Sequence, residues 1–475
     1  MLAHLRVSAR RFARSLLDAK PRPQRRAPSC EERSSPAPAF GVSTAGVGTM
    51  NSAVAVPREP SDPGRPRIAM ALYGDLTYDS RVRKEARTLA AAGYDVVIAC
   101  LAGDRARGDL PAGVTIQVRL PRGPLVIPGS RNPFFSGRGG RLSRIRSRAG
   151  WLIAYARGLR EWGRLAVEAA GPVDAWHAHD LTGLAAIAPS LDRRVPIVYD
   201  SHELYLETGT AAILPGPARR ILQRYEKRLV ARAAAVITVN DEIAAELRTR
   251  YRPRSTAVVH NCPVLGTPKT AASPIREATG VPGAAPIALY HGGLIAGRGI
   301  EPLMEALLTP GLEDVHLVLM GYGDKRDALL ALARSDVWRE RLHMLEPVPP
   351  ESILAWVGSA DVGVMVNPGR TLNDLYSSPN KLFECLAAGT PVITSDFPTL
   401  RRIVMDNVGG PLGAVCDPKD VSAIASSIRS VLRLGPTEMA VLRSRCRQAA
   451  EERWNWEHEA RVLLSVYANL GLRGE

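Results

Sequence analysis

Lys381 lies three residues before Glu384, and Asn380 four, in the run Ser378-Pro379-Asn380-Lys381-Leu382-Phe383-Glu384-Cys385-Leu386-Ala387-Ala388-Gly389. On a helix that spacing makes the three polar residues neighbours. A lysine, a carboxylate and the free amides of a helix start can cradle a phosphate and a vicinal diol. The same residues can equally be a solvated Lys–Glu pair on a surface helix. A second group is His291-Gly292-Gly293-Leu294-Ile295-Ala296-Gly297-Arg298-Gly299. Its glycines let backbone amides approach a diphosphate, and Arg298 can pair with one bidentately, although the run alone is also a tight turn. A third group is Trp176-His177-Ala178-His179-Asp180, with His202-Glu203 further on. Alternate histidines on a strand hold a metal only with further ligands, and none is spaced nearby, so no metal site is expected. His177 reads as a core histidine bonded to the backbone.

These residues need elements to hold them. Pro379 suits a first helical turn and Ser378 can cap it; Leu382, Cys385 and Leu386 make the buried stripe, and Gly389 ends the helix before a strand at Val392. Short apolar runs at 67–72, 94–100, 114–120, 195–199, 235–239 and 256–259 alternate with helical patterns, among them 79–92 and 217–233. After a Pro/Gly/Thr-rich linker the alternation resumes at 287–290, 315–320, 343–345 and 361–366. That is a doubly wound α/β chain in two parts, with ligand-facing groups expected just past strand carboxyl ends. Neither G-x-G-x-x-G nor a P-loop occurs, which weakens dehydrogenase and NTPase readings. Residues 103–150 read as loop apart from 114–120, with a helix from about 150 to 170.

The 475 residues exceed one ordinary core. No run reaches the roughly 18 apolar residues of a membrane span, and the six cysteines have neither zinc spacing nor disulfide density. The net charge of +15 is confined to two stretches, residues 1–66 and 101–170. Arg131, Arg138, Arg141, Arg144, Arg146 and Arg148 crowd together without an acid; this is either a solvated face or a surface for anionic phospholipid headgroups. Beside this run Phe134, Phe135 and Trp151 are the aromatics, without the interleaving that base stacking needs, so no nucleic-acid partner is expected. Residues 1–19 carry an apolar stripe with arginines elsewhere, as in an interfacial helix, and nine prolines between 20 and 66 mark a disordered tail. Translation can begin at Met1 or at Met50.

The Ser378-to-Asp396 run resembles the nucleotide-sugar signature of the retaining glycosyltransferases of family four, the group 1 type. Asp79-Ser80-Arg81-Val82-Arg83-Lys84-Glu85-Ala86 through Gly93-Tyr94-Asp95-Val96 is similar to their opening helix and second strand. The resemblance implies the GT-B fold, two Rossmann-like lobes facing across a cleft. It divides the chain into a tail 1–66, an acceptor-side lobe 67–262, a linker 263–285, a nucleotide-sugar lobe 286–455 and a returning helix 456–475.

The activity implied is hexosyl transfer from a nucleotide diphosphate-sugar to a glycan, lipid-linked or small-molecule acceptor, with retained configuration and without cofactor or metal. By the same resemblance Glu384 holds the ribose, and Gly292, Gly293, Gly321 and Asn380 lie along the nucleotide. Arg298 and Lys381 stabilise the leaving group, while His179 reaches the donor sugar's hydroxyls. His202-Glu203 is a second cleft-facing pair. This chain departs from the pattern where Arg298 replaces a common lysine, Gly293 a frequent arginine and Tyr376 the first of two glutamates. The setting implied is the bacterial cytoplasm, at the inner face of the membrane, in cell-envelope polysaccharide synthesis. The rival readings are a nucleotide-sugar epimerase of the same fold and a silent binding subunit.

Overall fold

The computed structural model describes residues 64–102, 110, 111, 113–119, 141–266 and 273–474. The stripe at 1–19, the proline-rich stretch up to residue 63, and Arg131 and Arg138 lie outside these residues. Thirteen short runs form two all-parallel sheets. In the first, β1 (Arg67–Asp75), β2 (Asp95–Ala102), β3 (Val114–Val118), β4 (Ala175–His179), β5 (Ile197–Ser201), β6 (Ala235–Thr238) and β7 (Thr256–Val258) are ordered β3-β2-β1-β4-β5-β6-β7. The second contains β8 (Ile287–His291), β9 (His316–Met320), β10 (Leu342–Leu345), β11 (Val362–Met365), β12 (Val392–Ser395) and β13 (Gly413–Cys416), ordered β10-β9-β8-β11-β12-β13. Near-continuous apolar strands such as Ile68–Leu72 are what a parallel sheet covered on both faces requires.

Each sheet reverses its order at one strand. β1 pairs with both β2 and β4, Ile68 lying opposite Val96 and Ala175. β8 likewise pairs with β9 and β11. Ligands of open α/β sheets bind beyond the carboxyl ends at such switch points. The exit of β8 is the glycine run that starts at Gly292.

Capping residues set the helix ends that matter here. Asp79 accepts from the Val82 amide at 3.0 Å and starts the helix Ser80–Ala91, and Gly389, in a left-handed conformation, ends Asn380–Ala387. Ser378 does not cap that helix. Its hydroxyl donates to the Val239 carbonyl of the first lobe, and Pro379 stands at the cap position without a side-chain bond.

Other elements also differ from the sequence reading. The helix expected from about residue 150 spans Arg141–Ala170, because arginine, leucine and alanine are good helix formers and a basic run lacks only burial, not helix propensity. β13 was not expected: four residues opening on glycine give too short an alternation to recognise. The stretch read as linker holds a helix, Pro274–Thr279.

The second lobe packs around one apolar cluster that runs from Ile275 to Trp454 and takes in Cys262 from before the linker. The first lobe has a cluster on each face of its sheet, and the closing helix Trp456–Asn469 belongs to one of them through Trp456, Leu463, Val466 and Tyr467. The Trp456 indole donates to the Thr88 hydroxyl at 2.9 Å. No helix of the described residues is long and apolar enough to cross a membrane.

Candidate active site

Where the strands of the second sheet end, two backbones nearly touch. A Cβ on Gly321 would lie 1.9 Å from the Gly292 carbonyl oxygen, so both the close approach and its φ of +155° demand glycine. Gly293 is different: a Cβ there would meet nothing nearer than Ile295 at 3.9 Å. The Lys381 amine rests beside Gly292 and 3.8 Å from the centre of the Tyr290 ring, a cation–π contact. Burial, helped by the Arg298 charge, lowers the Lys381 pKa to about 7. Glu384 lies one turn on, its carboxylate 2.8 Å from His291 Nε2. The sequence reading gave no role to His291, a buried residue at the carboxyl end of β8.

A cavity of about 1180 Å³ separates the lobes, and Arg298, Arg370, Asn380 and Lys381 line it from the second. Among the described residues Arg298 makes no hydrogen bond or ion pair. The Arg370 guanidinium stands 3.1 Å from the position of a Cβ on Gly297, so it lies over the same turn that carries Arg298. Arg370 was missed in sequence. Its signal is positional, because Pro368-Gly369-Arg370 follows the carboxyl end of β11. It brings to this wall a cation of the kind absent at Gly293.

The lobes meet along the segment that leads into the Asn380 helix. Asn240 donates to the Tyr376 carbonyl at 2.7 Å and to the Ser378 hydroxyl at 3.2 Å; Asn261 donates to the Asn380 side chain at 2.9 Å. Arg402 forks onto Glu242 at 2.9 and 3.0 Å. Tyr376, where an acid was expected, packs its ring against the apolar cluster of the first lobe. It holds the lobes together, and no carboxylate reaches the cleft from this position.

The first lobe contributes a buried polar cluster. Arg81 donates to both oxygens of Asp200 at 2.7 and 2.9 Å and to the Val259 carbonyl at 2.7 Å. Glu85, His177 and His179 surround that pair, all fully buried. His179 is held 3.3 Å from His202 and 3.5 Å from Asp200; burial and the His177 ring push its pKa down to about 3. It does not line the cavity; His202 does. Burial opposes the His202 imidazolium, but Asp180 at 3.5 Å and Asp200 at 3.1 Å outweigh it and raise the pKa to about 10. The histidine facing the cleft is therefore His202, and His179 is the layer behind it. His177 is bonded to the Tyr467 hydroxyl at 2.7 Å, not to the backbone.

Glu85, His177, His179 and Asp200 bring one ligand atom each within 4.8 Å of one another, so the further carboxylates that the sequence did not place are at hand after all. The arrangement nevertheless suits an ion-pair core better than a metal. The two imidazoles are stacked 4.5 Å apart with planes 14° from parallel, so their in-plane lone pairs do not converge, and Arg81 already occupies both oxygens of Asp200.

Residues 78–262 match the family described as glycosyl transferase 4-like domain, and residues 285–433 match glycosyl transferases group 1. The chain belongs to the group 1 glycosyltransferases. This glycosyltransferase is 28% identical, over 63% of its length and 72% of the relative's, to D-inositol 3-phosphate glycosyltransferase of Xylanimonas cellulosilytica. Among solved structures, sucrose-phosphate synthase from Thermosynechococcus elongatus matches with a TM-score of 0.63 at 20% identity, covering 86% of this chain and 99% of that one. HepE from Anabaena, in complex with UDP and glucose, matches with a TM-score of 0.60 at 17% identity, covering 86% and 100%. Those likenesses, with the two parallel sheets, give the GT-B fold. Neither an epimerase nor a silent binding subunit is favoured by these matches.

Proposed function

We propose that this glycosyltransferase takes its sugar from a nucleoside diphosphate donor and transfers it with retention of configuration. The observation that carries the reading is the convergence of Arg298, Arg370 and Lys381 on one wall of the interlobe cavity, beside the glycine exit of β8 and the start of the Asn380 helix. Cations and backbone amides fixed before reaction are suited to charge developing on a leaving diphosphate. In this reading Gly292, Gly293, Gly321 and Asn380 flank the nucleotide, and Glu384, oriented by His291, accepts from the ribose hydroxyls. The bond from the anomeric carbon to the phosphate oxygen breaks while the acceptor oxygen bonds to that carbon on the same face. The acceptor's proton passes to the departing phosphate oxygen. No group of the protein needs to attack the sugar, and the positive side chains do the neutralising that a divalent cation does elsewhere.

His202, charged at neutral pH and exposed to the cleft, faces the donor sugar; His179 and Asp200 position it. The bound UDP in the HepE structure supports a nucleotide donor by likeness. A cytoplasmic enzyme of a bacterial cell is the matching setting, in keeping with five described cysteines that are all free thiols. Thermal-shift titration with UDP- and GDP-sugars tests the proposal. A concentration-dependent stabilisation by one of them, lost in Glu384→Ala, is expected; no response to any nucleotide sugar would sink it.

A further inference from the structure

Beside the cleft, on the acceptor side, the first lobe opens into a second cavity of about 950 Å³ between the helices Arg141–Ala170 and Gly216–Arg232. Its wall is apolar: Trp151 and Tyr155, stacked 5.2 Å apart with planes 2° from parallel, face Leu159, Leu181, Leu214 and Leu222. Of the ten large hydrophobic side chains that stand exposed in the described residues, Leu152, Ile153 and Tyr225 line this cavity, and Ile213 and Ile221 are the chain neighbours of the lining residues Leu214 and Leu222. Ile221 is 66% and Ile153 54% exposed. A contiguous apolar surface of this kind is uncommon on a monomer without a binding role.

Two further observations say what fits. Arg157 and Arg160 line the cavity, with Asp180 and Glu203 as its acids, and on the outer surface of the second helix Arg220, Arg224 and Arg228 stand exposed four residues apart, while that helix's one acid, Glu226, is buried. Apolar side chains beside a basic stripe are the pattern of a helix lying at an anionic membrane. The cavity also adjoins the cleft, because Glu203, Thr208 and Gly209 line both. A ligand with its chain in the apolar cavity has only that short boundary between its head and the sugar-transfer site.

We propose that this cavity holds the hydrocarbon chain of a lipid-linked acceptor with an anionic headgroup, so that the acceptor is drawn from a membrane surface and not from solution. The inference rests on the reading of the cleft as the sugar-transfer site. The test uses the full chain and vesicles of phosphatidylcholine and phosphatidylglycerol with brominated acyl chains, which quench nearby tryptophans. Trp151 is the tryptophan of the cavity wall, and subtracting the Trp151→Phe signal isolates it. Bromine-dependent quenching of Trp151 is expected, reduced at least several-fold in Ile153→Asp and in the Arg220→Glu, Arg224→Glu pair. Donor-induced thermal shift, unchanged in these variants, reports that they fold and that the cleft is intact. No quenching, or equal quenching in Ile153→Asp, with that shift present overturns the lipid proposal alone. Loss of the donor shift in the wild type is the separate failure of the cleft reading, and it removes the acceptor role with it.

Discussion

The two sides of the cleft are built on opposite plans. On the second lobe the groups proposed to act are few, close in sequence and mounted on backbone: Gly292, Arg298, Asn380, Lys381 and Glu384 come from one strand exit and one helix. On the first lobe the polar groups are a buried network drawn from three separate segments, Arg81 with Glu85, His177 with His179, and Asp200 with His202, and of these Arg81 and His202 reach the cavity. A site for a diphosphate needs fixed donors at a short backbone approach, which local sequence can encode. A site for a varied acceptor needs a stable wall behind an adaptable surface. Damage on the first lobe should therefore appear mainly as lost stability, and damage on the second as lost turnover.

Arg81→Met is the strongest way to break that contrast. It removes the cation that neutralises Asp200 while leaving the carboxylate buried, and breaking such a pair costs about 3–5 kcal/mol. The expected outcome in denaturant unfolding is a lowered midpoint that, multiplied by the m-value, gives a loss of that order. An unchanged midpoint would mean that the cluster is not structural. Arg298→Ala is its counterpart. Removing one preorganised stabiliser of developing charge lowers kcat by about 100- to 1000-fold, here with unfolding unchanged because Arg298 is exposed and unpaired among the described residues. Steady-state rates on the stabilising donor check it; a loss below tenfold would move the leaving-group role to Lys381 and Arg370.

The same contrast explains what could be read before the structure. Alternating apolar runs and helix stripes report local burial, so both sheets and most strands were legible. The Gly292 and Lys381 groups were legible because their partners lie within a few residues or share a motif. What stayed hidden depends on contacts across long separations. His179 reads as a cleft residue until Asp200 and Glu85, brought in from 21 and 94 residues away, enclose it. Arg370 carries no motif, and only the fold of the Gly297 turn under its guanidinium shows where it stands. Tyr376 could be recognised as a missing acid, but not as a contact with the first lobe. The apolar cavity draws on two helices that are far apart in sequence; both were expected as helices, but nothing local shows that Trp151 and Tyr155 of the first face Leu222 and Tyr225 of the second.

The smallest effect sharpens the comparison most. Lys381 lies on the side where charge should govern function, and its pKa of about 7, set by burial and then by Arg298, leaves it only half charged at neutral pH in the free protein. A bound diphosphate restores the ordinary preference for the ammonium, so between about pH 7 and 9 the donor must bind together with a proton. Because the free-state pKa is the depressed one, affinity is greatest below pH 7 and falls as pH rises, by at most about tenfold per unit. Calorimetric titration at pH 7, 8 and 9 should show weakening affinity, with proton uptake seen as a dependence on the ionisation enthalpy of the buffer. Lys381→Arg, always charged, should bind with little change over that range. A wild-type affinity as flat as that of Lys381→Arg would mean that the Lys381 amine does not face the phosphates, and that the charge on this wall is supplied by Arg298 and Arg370 alone.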